Sequence, residues 1–142
     1  VLVNPSDMGN LGTILRAALG FNISNIALIK PCVDIFNPKV VRASMGALFS
    51  LNIQLFDSFD DYYKENANNN MYPFMLKATK TLQSLQDKKQ PFSLIFGNEG
   101  SGLDDSFLNI GQSIIIKHSH NIDSLNLSIS VALALYEFTK NI

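Results

Sequence analysis

DSLNLSISVALALYE, residues 123–137, admits two readings, and the choice between them decides the fold. The odd positions Leu125, Leu127, Ile129, Val131, Leu133 and Leu135 are large aliphatics, and the even positions Asn126, Ser128, Ser130, Ala132 and Ala134 are small. Strict alternation predicts a half-buried strand. The run is nevertheless long for a strand and rich in Leu and Ala, which predicts a helix. As a helix it would start from Asp123 or Ser124 as N-cap. Ser128 and Ala132 would share one face, and aliphatic surface would cover most of the rest. Such a helix is buried on most sides, and in a chain this small that points to contact with a second subunit.

The rest of the chain favours the helix. Val1–Val3 reads as a strand end, followed by a turn-rich loop over Asn4–Asn10. Leu11–Leu19 reads as a helix, with Leu11, Ile14, Leu15, Ala18 and Leu19 on one face and Gly20 to end it. Ile26–Ile29 is a strand. Asn37-Pro38 starts a helix running to about Ala47. Asn52–Phe56 is a strand, and Ser58 caps a short helix over Phe59–Lys64. After a polar loop at Asn66–Asn70, Pro73–Lys77 is a candidate strand and Leu82–Leu85 a short turn or helix. Phe92–Phe96 is a buried strand, Gly97–Gly102 a glycine loop and Ser113–Lys117 another strand. This βαβα order predicts an α/β domain with a mostly parallel sheet flanked by helices, in which a helix should follow Ser113–Lys117. Ligands of such sheets lie beyond the carboxyl ends of the strands. Three loops are therefore singled out: 4–10, 97–102 and 117–124.

With 142 residues, 46% hydrophobic and 16% charged, the chain suits a single folded domain, residues 1–142. No apolar stretch has the length of a membrane span, so we expect no membrane partner, and there is no signal-peptide pattern. The single cysteine, Cys32, excludes an internal disulfide and suits a reducing cytoplasm; it reads as a small apolar filler. The net charge of −1 does not announce a nucleic-acid binder, although local patches matter more than totals. Arginine is scarce, with only Arg16 and Arg42.

Each loop has a bland and a functional reading. In DMGNLGTILRAALGF (7–21), Gly9, Gly12, Thr13 and Arg16 fall opposite the aliphatic face. They read either as a glycine-rich helix start with a surface arginine, or as a helix N-terminus and guanidinium with open space for an anion. LIFGNEGSGL (94–103) lacks the lysine of a P-loop and the spacing of a dinucleotide fingerprint. Its odd feature is Glu99, set among glycines, where it can accept backbone N–H bonds and rigidify the loop. In IIIKHSHNIDSLNLSISVALALYE (114–137), His118 and His120 lack the acid or cysteine partners of a metal site, so no metal is expected.

Together these stretches resemble the three motifs of the SpoU or TrmH family of RNA ribose 2′-O-methyltransferases, in the SPOUT superfamily. The first motif, roughly D-P-x-N-x-G-x-I-x-R-T, resembles Asp7 through Arg16. The second, F-G-x-E-x-x-G-L, matches Phe96 through Leu103. The third, I-P-M-x-G-x-x-x-S-L-N-V-S-V-A, aligns with Ile116 through Ser130. The stretch PKVVRASMGALF (38–49) is similar to the family's middle segment. The chain differs at Met8, where the family has Pro, at Lys117-His118, where it has Pro-Met, and at His120, where Gly is common.

The resemblance implies that residues 123–137 form a C-terminal helix, whose head lies in a cofactor pocket made by a deep C-terminal trefoil knot and whose body packs on a second subunit in a homodimer. It implies methyl transfer from S-adenosylmethionine to a ribose 2′-hydroxyl of tRNA or rRNA. Asn10, Arg16, Glu99, Ser124 and Asn126 match the family's polar catalytic positions. Phe96, Gly97, Ile116, His118, Leu125 and Asn126 fall at its cofactor-binding positions. Arg16, with Arg42 and Lys39, would meet RNA. Many family members carry an N-terminal RNA-binding domain, so further residues before Val1 are expected to supply substrate recognition. Two other readings stand beside this one: an inactive knotted RNA-binding protein, and a nucleotide-binding α/β protein using the 97–102 loop.

Overall fold

The computed structural model describes all residues from Val1 to Ile142. Its strands are β1 (Leu2–Val3), β2 (Asn25–Ile29), β3 (Asn52–Phe56), β4 (Asn70–Pro73), β5 (Lys80–Thr81), β6 (Phe92–Ile95) and β7 (Ile114–Ile115). Its helices are α1 (Met8–Gly20), α2 (Pro38–Ser44), α3 (Phe59–Glu65) and α4 (Leu127–Thr139). All paired strands are parallel: β1 with β2, β2 with β3, β4 with β6, and β5 with β7. Parallel bridges Leu2–Phe96 and Phe74–Ile114 join the ladders. The lateral order is therefore β3-β2-β1-β6-β4-β7-β5, the α/β architecture expected.

Strand periodicity divides the core into two layers. On β2, Ile26 and Leu28 face one layer, packed with Leu11, Ile14 and Leu15 of α1 and Val131, Leu135 and Phe138 of α4. Ala27 and Ile29 face the other, with Phe56, Tyr62, Ile95 and Phe107. Both sides of the sheet are thus covered, as a parallel sheet requires. Leu11, Leu15 and Leu28 are fully buried, and each contributes about 2 kcal/mol of apolar transfer.

The alternation of residues 125–135 resolves into two helical stripes. Val131, Ala134, Leu135 and Phe138 point into the core, whereas Ile129, Leu133 and Tyr136 stay 53%, 42% and 54% exposed. The N-cap is Asn126, not Asp123 or Ser124: its Oδ1 accepts from Ser128 N at 2.9 Å and Ile129 N at 3.4 Å. Ser124 and Leu125 stay outside the helix and line a cavity.

Other boundaries move for local reasons. α1 begins at Met8, ahead of the expected Leu11, because Asp7 Oδ1 accepts from Asn10 N at 2.7 Å. Gly20 is its last helical residue, and the left-handed residue beyond it is Asn22, with φ 62°. α2 ends at Ser44, short of Ala47: Met45 and Gly46 are left-handed, with φ 53° and 85°, and a 3₁₀ turn over Ala47–Ser50 follows. β4 lies earlier than the Pro73–Lys77 expected, with Pro73 its last residue. A 3₁₀ turn at Leu82–Ser84 matches the expected short element, and another at Asp105–Asn109 was not foreseen.

Gly12 corrects one expectation. A Cβ there would lie 2.4 Å from Ala43 Cβ and 2.7 Å from the Val40 carbonyl oxygen. Gly12 therefore lets α1 approach α2, and only Gly9, Thr13 and Arg16 of the four are exposed.

Candidate functional site

The loops after β1, β6 and β7 meet at one end of the sheet. β6 delivers Phe96 and Gly97 into the glycine loop, which folds back on itself: Gly102 N donates to Asn98 O at 2.9 Å. A Cβ on Gly97 would sit 2.2 Å from the Gly102 carbonyl carbon and 2.4 Å from Leu103 N. Only glycine allows that closure.

Asn98 fastens the loop in both directions. Its Nδ2 donates to Asn4 O at 2.8 Å and Ser6 Oγ at 3.2 Å. Its Oδ1 accepts from Gly100 N at 2.8 Å and Ser101 N at 3.1 Å. Glu99 then grips the first loop. Its carboxylate accepts from Ser6 N at 3.1 and 3.2 Å, Ser6 Oγ at 2.8 Å and Asp7 N at 3.1 Å. Burial pushes the Glu99 carboxyl up, but the N–H groups of Glu99 itself and Asp7, with Ser6, outweigh it and hold the group below its ordinary value.

The linkage continues across the site. Asp7 caps α1 through Asn10 N, and Asn126 Nδ2 donates to Asn10 Oδ1 at 3.3 Å. The glycine loop, the head of α1 and the head of α4 are therefore one hydrogen-bonded unit.

Beside this unit lies a cavity of about 300 Å³ lined by Phe96, Gly97, Ile116, His118, Ser124 and Leu125, within the range of small-molecule sites. Glu99 also borders it. Phe96 stacks on Phe74, with ring centroids 4.6 Å apart. Gln83 steadies the far wall: its Nε2 donates to Lys117 O at 2.9 Å, and Lys117 N donates to its Oε1 at 3.1 Å. A His118 ring nitrogen, Nδ1, lies 2.8 Å from Ile116 O. A larger cavity, about 660 Å³, opens elsewhere against Asn25, Asn52, Asn66 and Asn69. It lies toward the amino ends of β2, β3 and β6, whereas ligands of parallel sheets bind at the carboxyl ends.

The residues singled out from sequence fall into three groups. Phe96, Gly97, Ile116, His118, Ser124 and Leu125 line the cavity together. Asn10, Glu99 and Asn126 join its rim through the bonds above. Arg16, Lys39 and Arg42 are exposed on α1 and α2, form no ion pair, and do not line the cavity. Sequence reasoning missed Ser6, Asn98 and Gln83. The N of the G-N-E triplet was visible, but nothing marked its partners. Cys32 is half-buried, and burial pushes its thiol up, with Lys30 opposing, as suits an apolar filler. His118 is half-buried and His120 exposed, and no group of three or more metal-ligating side chains forms. No helix is long and apolar enough to cross a membrane.

The model of the SpoU rRNA Methylase family matches residues 1–136. The chain is 35% identical to an uncharacterized tRNA/rRNA methyltransferase of Synechocystis sp., over 96% of this chain and 51% of that protein. It is 31% identical to the 23S rRNA (adenosine(1067)-2′-O)-methyltransferase of Streptomyces azureus, over 92% of this chain and 49% of that protein. Its fold is similar to that of an AdoMet-bound rRNA methyltransferase from Sinorhizobium meliloti, with a TM-score of 0.91 and 30% identity over 99% of this chain and 55% of that one. The chain thus spans about half the length of these relatives.

Proposed function

The chain belongs to the SpoU rRNA methylase family, and from that premise we propose that it transfers a methyl group from S-adenosylmethionine to a ribose 2′-hydroxyl of tRNA or rRNA. The observation that carries this reading is the cavity at the carboxyl ends of the strands, tied through Glu99, Asp7 and Asn10 to the helix that bears Arg16.

The residues present fit the cofactor. The cavity has room for a small molecule beside a glycine backbone whose closure a side chain would block. Backbone at Gly97, Ile116 and Leu125 would hold the adenine and methionine parts, with Phe96 and His118 as walls and Asn126 at the rim. When bound, S-adenosylmethionine supplies an electrophilic methyl group and a neutral thioether as leaving group.

The chain's own task is then placement and charge. The 2′-hydroxyl must lie in line with the methyl and lose its proton as it attacks. Arg16 brings a guanidinium, a planar cation with five N–H donors and no acceptor. It orients the RNA phosphate and stabilises negative charge growing on the 2′-oxygen. Ser124, whose hydroxyl makes no hydrogen bond within the chain, faces the same space and is available to the substrate. Glu99 has its oxygens occupied by Ser6 and Asp7, so we assign it to positioning rather than proton transfer. Asn10 and Asn126 hold the heads of α1 and α4 together. Lys39 and Arg42, exposed on the helix packed against α1, extend the phosphate contacts.

Arg16 does not line the cavity of its own chain, and α4 exposes Ile129, Leu133 and Tyr136 as an apolar stripe. Both observations support a homodimer through α4, in which Arg16 of one subunit serves the cofactor of the other. We place the cofactor segment, residues 116–126, in a threaded C-terminal knot. The single reduced cysteine fits a cytoplasmic protein. Recognition of a particular RNA by the whole protein is assigned to sequence outside this domain, since its net charge of −1 supplies little general affinity for RNA.

The test joins calorimetry to a transfer assay. S-adenosylmethionine should bind the purified chain, and Arg16→Ala should lower methyl transfer at least ~100-fold while leaving cofactor affinity unchanged. Transfer at the normal rate in that variant would refute the role given to Arg16.

A further inference from the structure

We propose that His118 sets the preference of the cavity between S-adenosylmethionine and its demethylated product, S-adenosylhomocysteine, through the charge on its imidazole ring. The inference rests on the methyltransferase reading and deepens it.

The geometry constrains the ring. His118 lines the cavity, and Nδ1 lies 2.8 Å from the Ile116 carbonyl oxygen. A carbonyl only accepts, so Nδ1 carries the hydrogen in either protonation state. In the neutral ring Nε2 is then a lone-pair acceptor. In the protonated ring Nε2 becomes a second donor and the side chain a cation. The Ile116 bond anchors the ring, so the change of charge occurs at a fixed place in the cavity wall.

The other charged groups around the cavity are already committed. Glu99 is saturated by Ser6 and Asp7 and held ionised. Lys77 and Asp105 pair at 3.0 Å. Lys117, His120 and Asp123, on the same loop as His118, are exposed and outside the lining. Among the lining side chains, imidazole is the type that changes charge near neutrality.

The two ligands differ only in the methyl group and the positive charge on sulfur. Their adenosine, ammonium and carboxylate groups are common, so a charge in the wall acts on the difference. A neutral ring accepts the sulfonium ligand, whereas a protonated ring repels it and leaves the neutral thioether unaffected. In general, two unit charges on the order of 8 Å apart in an effective dielectric of about 40 repel enough to change a binding ratio about fivefold. The site would therefore favour product over S-adenosylmethionine when the ring is charged and lose that preference when the ring is neutral.

The experiment is calorimetric titration of S-adenosylmethionine and S-adenosylhomocysteine into the unmodified chain from pH 8 to pH 5.5, repeated with H118N and H120N. Asparagine keeps a donor for Ile116 O but cannot take a proton. The ratio of the dissociation constants, methionine form over homocysteine form, should rise about fivefold toward pH 5.5 in the unmodified chain and in H120N, and stay flat in H118N. A flat ratio in the unmodified chain, with both ligands bound, overturns the role of His118 and leaves the methyltransferase reading standing. A slope that survives in H118N overturns it as well. Failure of both ligands to bind the folded chain at every pH overturns the methyltransferase reading, and this inference with it.

Discussion

Two loops face each other across the cavity, and they are built in opposite ways. The 97–102 loop is closed by backbone against backbone and fastened by Asn98 and Glu99 to the loop after β1. The 117–124 loop is exposed over most of its length and held at its base by Gln83 and the His118 ring. One wall is fixed by the fold before any ligand arrives. The other has few restraints, each replaceable by a single substitution. Changes in the first loop should therefore damage folding and binding together, whereas changes in the second should separate them.

The sharpest attempt to break this contrast is Gly97→Ala. The added carbon meets backbone at 2.2 and 2.4 Å, and backbone cannot rotate aside as a side chain can. The expected loss is about 3 kcal/mol of stability, read as a lower urea midpoint, with cofactor binding abolished. A stable variant that binds normally would mean that the loop is not the rigid wall described.

Asn98→Ala should come next. It leaves the N–H groups of Gly100 and Ser101 and the Asn4 carbonyl without their partner. Solvent can reach several of these groups, so the cost should be about 1–2 kcal/mol. Asn98→Asp, which keeps the acceptor and loses the donor, should fall between the alanine variant and the parent in thermal unfolding. If it matched the parent, the bonds to Asn4 and Ser6 would contribute nothing.

Glu99 adds an acid-side signature. Its folded carboxyl titrates below its ordinary value. The stability it contributes is present in full above the unfolded value, about 4.3, and is lost as pH falls through the folded one. The stability difference between the parent and Glu99→Gln should hold steady from pH 7 to pH 5 and shrink below about pH 4. A difference that grew on acidification would reverse the sign and remove the clamp from the account.

The same contrast governs what the sequence disclosed. α4 was legible because the βα alternation demands a helix after β7, although its own alternating pattern suggested a strand. Its cap was misplaced because Asp123, Ser124 and Asn126 are all competent caps, and only the fold shows that Asn126 takes the role by accepting from Ser128 N and Ile129 N. Glu99 was legible as an acceptor among glycines. Asn98 and Gln83 were not, since their partners are backbone groups brought close only by the folded sheet, and spacing along the chain does not encode them. Gly12 misled in the same way: helical periodicity placed it on the Arg16 side, but α2 occupies that space.

The smallest effect tests the adaptable wall alone. Gln83 is exposed, and its amide pairs with both backbone groups of Lys117 just beyond the β5–β7 ladder. It extends that ladder with a side chain. Removing it exposes two groups that water can satisfy, so the loss of stability should stay below about 1 kcal/mol. The loop it restrains carries His118, Ser124 and Leu125 into the cavity, so its loosening imposes an ordering cost on binding. Gln83→Ala should therefore weaken S-adenosylmethionine about fivefold with a barely changed melting temperature. Gln83→Glu should behave in the same way, because it loses the donor to Lys117 O and keeps the charge in solvent. If both variants lost stability in proportion to affinity, the two walls would be one cooperative unit. If neither changed affinity, Gln83 would not be what holds the second wall.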